Sequence, residues 1–169
     1  MALILLSTRA VDRSRRGVSL IELLGSLLVM GLLVACALPA LAALSRRAAT
    51  RGAASELCGA LSIARSLASA ESVRCGVVFL RRPDRYAVFR DDDGDGEASA
   101  GEIVRGPTRL PPGVEFGRAS GLDPITFDRD RAIFRPDGCL DGRPGAVHLA
   151  STSRQARITV ITNGRIRAD

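Results

Sequence analysis

Hydrophobic positions along this chain fall into three successive patterns. From Val18 to Leu44 they are nearly continuous, and in those 27 residues the only ionisable groups are Glu22 and the thiol of Cys36. A helix needs roughly 20 apolar residues to cross a bilayer, so this block is long enough to span one. A secretory signal peptide would have a shorter apolar core with a small-residue cleavage site after it. Here the run continues into more helix, which predicts a retained membrane anchor.

The second pattern begins after Leu44. Ala53, Ala54, Leu57, Leu61, Ala64, Leu67 and Ala68 recur at three-to-four spacing, while Arg51, Glu56, Arg65 and Glu71 fall mostly off that stripe. This is the signature of an amphipathic helix with one buried face. The two patterns together predict one helix from about residue 19 to about residue 70. Its second half packs on a sheet.

Beyond Ser72 the period shortens to that of strands. Candidates are 75–80, 85–89, 102–105, 114–116, 125–127, 132–134, 146–149 and 157–161, punctuated by Gly, Pro and Asp. Eight short strands after one long helix predict an α+β domain with mainly antiparallel pairing. No internal repeat or low-complexity linker interrupts the 169 residues.

Charge adds a qualification. The formal charge is +6 and all 24 basic residues are arginine. Four of them (Arg9, Arg13, Arg15, Arg16) precede the anchor with a single acid, Asp12, so removing residues 1–17 takes the charge from +6 to +3. Three arginines, Arg46, Arg47 and Arg51, follow the anchor. The positive-inside rule therefore only leans toward a cytoplasmic N-terminus.

The junction Arg15-Arg16-Gly17-Val18-Ser19-Leu20-Ile21-Glu22 is more informative. It resembles the prepilin peptidase site of type IV pilins and type II secretion pseudopilins. The resemblance implies cleavage after Gly17, N-methylation of the new first residue Val18, and a Glu at mature position five, here Glu22. Phe is usual where Val18 stands, but other apolar residues are tolerated there. Pro39 falls where these proteins commonly carry a helix-bending proline, and its missing N–H and bulky ring predict a bend.

A carboxylate four residues into a membrane span costs about 2.5 kcal/mol or more unless paired. In a filament, the α-amine of a neighbouring subunit's first residue would offset that cost and set the axial register. The alternative is that Glu22 lies at headgroup level. Further along, Ala64-Arg65, the Phe134-Arg135-Pro136-Asp137-Gly138 turn and the closing stretch from Ile158 to Ile166 resemble the GspH/FimT branch of the same family. The implied organisation is a leader (1–17), a transmembrane segment (18–47) and a periplasmic α+β domain (48–169). The implied location is the bacterial inner membrane, with prepilin peptidase and other pseudopilins or minor pilins as partners.

Two further motifs bear on function. Asp91, Asp93, Asp95, Gly96 and Glu102 fit the calcium-loop spacing D-x-[DN]-x-[DN]-G-x5-E, with the Glu97 carbonyl as a further ligand. The flanks read as strands, so this is no EF-hand. It is either a calcium-bound hairpin loop or a solvated acidic turn. The C-terminal Gly164-Arg165-Ile166-Arg167 resembles the tail with which FimT-type minor pilins contact DNA, and arginine forks suit phosphate. Asp169 dilutes that charge, and the same residues serve equally as a plain strand ending.

Nothing in the chain suggests catalysis. His148 lies in an alternating strand, and no nucleophile motif or phosphate-cradling loop is present. Of the four cysteines, Cys36 is in the anchor, and a Cys75–Cys139 bridge is the favoured pairing in an oxidising periplasm. The leading expectation is thus a structural subunit, a minor pseudopilin of a type II secretion filament. The alternatives are a DNA-binding minor pilin and a signal-anchored periplasmic calcium-binding protein.

Overall fold

The computed structural model describes residues 19–117, 121–152 and 154–169. Gly17 and Val18, the expected processing site, lie outside them. The chain divides into two units, 1–41 and 42–169.

Helix α1 runs Leu20–Glu71. Its first turn is closed by the Ser19 carbonyl, which accepts from the N–H groups of Glu22 (3.0 Å) and Leu23 (3.1 Å). Within the first unit, the stretch Leu20–Leu38 has a mean hydropathy of 2.4. None of it is buried within the chain. Pro39 falls inside α1, whose helical course continues through it.

In the second unit the amphipathic stripe does what its spacing requires. Ala53, Leu57, Ala60, Leu61, Ala64 and Ala68 are buried in one cluster with Val77, Phe79, Phe134, Leu149 and Ile158. Alanine at so many of these positions costs little side-chain entropy and supports the helix intrinsically. At about 25 cal/mol per Å² of apolar surface removed from water, this shared cluster is the main stabilising term.

Among the described residues, nine strands form two antiparallel sheets: β1 (Arg74–Leu80), β2 (Arg85–Asp91), β3 (Ile103–Arg109), β4 (Val114–Phe116), β5 (Arg131–Phe134), β6 (Leu140–Asp141), β7 (Gly145–Ser151), β8 (Gln155–Val160) and β9 (Ile166–Ala168). The first sheet is ordered β3-β2-β1-β5-β6 and the second β4-β7-β8-β9. They meet where the Leu140 N–H donates to the Thr162 carbonyl at 2.9 Å. The α+β class follows.

Two differences from the expected strands have local causes. Residues 125–127 make a single bridge, Ile125 to Val147, rather than a strand. The chain leaves the sheet there because Phe127 leads into a 3-10 turn, Asp128–Asp130, whose Arg129 sits at φ 53°. Strands β6 and β9 were not expected. Both are very short, and β9 carries two polar-flanked residues whose alternation is invisible over so few positions.

Candidate functional site

Hairpin β2–β3 places the acidic loop. Its ends are tied where the Arg90 N–H donates to the Glu102 carbonyl at 2.9 Å. The side chain of Asp91 ends β2 fully buried, and its Oδ1 accepts from the Gly96 N–H at 3.1 Å. Gly96 needs no side chain at its φ of 70°, which lets the loop fold back on Asp91. Asp93 Oδ1 accepts from the Asp95 N–H at 3.1 Å, an Asx turn.

The result is convergence of three of the expected ligands. Carboxylate oxygens of Asp91, Asp93 and Asp95 all lie within 4.8 Å of one another. One cation could meet all three after a small contraction, since calcium–oxygen distances are roughly 2.3–2.6 Å. Glu102 is not part of that cluster. Its Oε1 accepts from the Asp92 N–H (2.9 Å) and its Oε2 from the Ser99 N–H (3.0 Å), so it braces the loop from beneath. The Glu97 side chain turns away to Arg131 at 2.8 Å, which with Arg129 holds its carboxyl below the usual carboxylate range.

Sequence reasoning missed the arginines that ring this loop. Arg74 Nη2 lies 2.6 Å from Asp91 Oδ2 and also donates to the Gly94 carbonyl. Arg90 pairs with Asp92 at 2.7 Å and with Glu71 at 3.1 Å, and Arg131 donates to the Gly96 carbonyl. Arg74 and Arg131 sit on the antiparallel neighbours β1 and β5. Only strand pairing brings them to the loop, so no local motif could announce them. Their charge offsets much of the carboxylate repulsion.

A second convergence joins the three segments that resembled the GspH/FimT branch. Arg65 on α1 donates from Nε to the Gly138 carbonyl at 2.9 Å and from Nη2 to the Asn163 carbonyl at 3.4 Å. The two turns, β5–β6 and β8–β9, touch one another: a Cβ on Gly164 would lie 2.0 Å from the Gly138 oxygen. Helix, first sheet and second sheet are thereby locked at one corner.

The comparisons with known proteins agree with this architecture. Residues 53–164 match the family model of the type II transport protein GspH, a span covering the buried helix stripe and the strands from β1 to β8. This chain belongs to the GspH family.

Solved structures of other proteins share the fold. The type IV minor pilin FimU of Pseudomonas aeruginosa matches with a TM-score of 0.56 at 17% identity, covering 73% of this chain and 90% of that one. The minor pseudopilin EpsH from the type II secretion system of Vibrio cholerae matches with a TM-score of 0.51 at 15% identity, covering 71% and 92%. No curated protein sequence matches. The pilin-like fold shared with this minor pilin and this minor pseudopilin agrees with the GspH-family match.

Arg165 and Arg167 are exposed, Arg165 in the turn before β9 and Arg167 within it, paired with Thr159 of β8. The expected Cys75–Cys139 bridge is corrected: all four cysteines are free. Cys75 on β1 pairs with Phe134 of β5, and Cys139 immediately precedes β6, one strand further out. Two inter-strand steps are about 9–10 Å, beyond the roughly 7 Å limit for bridged Cα atoms. Burial raises the pKa of the Cys75 and Cys58 thiols, which keeps them protonated. His148 is buried in β7.

Proposed function

We propose that the chain is a minor pseudopilin of a type II secretion filament. It is cut between Gly17 and Val18 by prepilin peptidase, methylated on Val18, and assembled through α1, with its globular unit in the periplasm. The observation that supports this most directly is the Leu20–Leu38 segment. It is apolar enough to span a bilayer and has none of its surface buried within its own chain, yet it carries Glu22 in its first turn. Such a helix needs a bilayer or a bundle of like helices around it. The name of the matching family, a type II transport protein, favours the secretion filament over a pilus.

Mass analysis of the mature N-terminus tests this reading. A chain beginning at methylated Val18 and recovered with the filament subunits supports it; an uncut chain sinks it.

A second reading is favoured by the exposed pair Arg165 and Arg167. As a minor pilin, the subunit would bind DNA without sequence preference, and affinity would fall steeply with salt. Binding unchanged by Arg165→Ala with Arg167→Ala would exclude that role for the tail.

Within either assembly, the loop of Asp91, Asp93 and Asp95 is read as a calcium-stabilised hairpin, supported by the 4.8 Å convergence of its carboxylates. The ion would be structural, drawing together groups that otherwise repel.

A further inference from the structure

We propose that the outer edge of β9, together with the α1 stripe beside it, is a docking groove for an extended acidic segment of another filament subunit. In this reading the segment adds a fifth strand to the second sheet. The inference rests on the assignment of the chain to a filament.

The sheet order ends at β9, so one side of this strand has no strand partner among the described residues. Arg157 and Asp169 exchange both backbone hydrogen bonds, at 3.0 and 2.8 Å, and the Ile161 N–H donates to the Arg165 carbonyl at 3.1 Å. In an antiparallel ladder, hydrogen-bonding direction alternates along the strand. The N–H and C=O groups of Ile166 and Ala168 therefore face away from β8. These same two residues line the open space beside α1. Ile166 borders a cleft of about 540 Å³ with Ser62, Ser66 and Ser69, and Ala168 borders one of about 480 Å³ with Ser55 and Cys58. Ser55, Cys58, Ser62, Ser66 and Ser69 follow helical spacing, so they form one stripe of small side chains running alongside β9. An incoming backbone can approach closely there, and a strand edge offers it paired donors and acceptors.

Charge selects the occupant. Arg51 and Arg154 line one cleft and Arg65 the other, Arg165 and Arg167 flank the edge, and among the described residues lining the two clefts Asp169 is the one acid. A second copy of this chain is a poor candidate. Its own acidic loop is already ringed by Arg74, Arg90 and Arg131.

Hydrogen exchange on the full-length chain tests the proposal. The segment 164–169 is followed by mass spectrometry in the detergent-solubilised subunit, with and without duplex DNA, and in filaments co-assembled with the other subunits. The expected result is exchange at Ile166 and Ala168 slowed at least tenfold on assembly, lost in the Arg51→Glu, Arg154→Glu double variant. Exchange as fast in the filament as in the free subunit overturns the inference. So does protection produced by DNA, or by raising the concentration of the isolated chain. Protection that survives the double charge reversal removes the acidic partner. Absence of the chain from the filament fraction is seen separately and removes the filament assignment together with this inference.

Discussion

The Nε of Arg65 donates a hydrogen bond to the carbonyl oxygen of Gly138, 73 residues away, at 2.9 Å. That contact holds the β5–β6 turn on α1, and it matters because Gly164 packs against the same carbonyl, beside the Arg65 guanidinium. Gly164 has a φ of 73°, where L-residues are strained, and its missing side chain is what permits the approach.

Gly164→Ala is therefore expected to destabilise by about 2–3 kcal/mol, combining left-handed strain with a steric clash. Arg65→Ala removes a part-buried hydrogen bond and is expected to cost about 1 kcal/mol. Urea unfolding in detergent checks both. A Gly164→Ala midpoint equal to wild type would mean that the two turns are not in contact.

Acid lability is expected at the Arg81 clamp. Arg81 lies 2.9 Å from Asp123 and 2.5 Å from Asp130. The hydrogen bond from Arg81, then that from the Ile125 N–H, holds the Asp123 carboxyl below its ordinary value. A depressed folded pKa gives stability that is present above the unfolded value, near 4, and is lost as pH falls through the folded one. The clamp is largely exposed, so it is worth no more than about 1 kcal/mol. Arg81→Gln is expected to melt lower than wild type at pH 7, with the gap closing below about pH 4. A gap constant from pH 7 to pH 3 would contradict this account.

For the acidic loop, calcium is expected to raise Tm, because an ion bound only by the folded chain stabilises it by mass action. Asp93→Asn together with Asp95→Asn is expected to remove most of that rise. Arg74→Gln is expected to lower the metal-free Tm while leaving the calcium response, since Arg74 supplies the positive charge beside buried Asp91. A thermal scan with calcium and then chelator separates the two effects. Indifference of the wild-type chain to calcium would count against the site.

How much of this was legible in advance follows from the range of the interactions. The α1 stripe from Ala53 to Ala68 and strands such as 114–116 depend on local periodicity, and they form where that periodicity places them. The carboxylates at 91, 93 and 95 converge because their spacing is local as well. The engagement of Glu102 with backbone N–H groups was not legible, because it depends on how the loop between β2 and β3 closes. Arg74, Arg131 and the absence of a Cys75–Cys139 bridge depend on the order β1-β5-β6, which no periodicity specifies. Arg65, Gly138 and Gly164 were visible as three separate motifs; that they form one corner was not.

Glu22 gives the sharpest test of assembly. It lies in the first turn of α1, in a segment whose apolar side chains are all exposed, and no side-chain partner for it appears among the described residues. An unpaired carboxylate within the span costs about 2.5 kcal/mol or more, so the residue is a burden on insertion alone. Replacing it with alanine removes that burden. If its value lies in meeting the amine of a neighbour's Val18, Glu22→Ala should insert and be cleaved at least as well as wild type, yet fail to enter the filament. Glu22→Asp keeps the charge on a shorter reach and is expected to restore part of the incorporation. Membrane fractionation, N-terminal mass analysis and recovery with sheared filaments read the three steps separately. Normal incorporation of Glu22→Ala would place the carboxylate at the headgroup level and remove its role in subunit register.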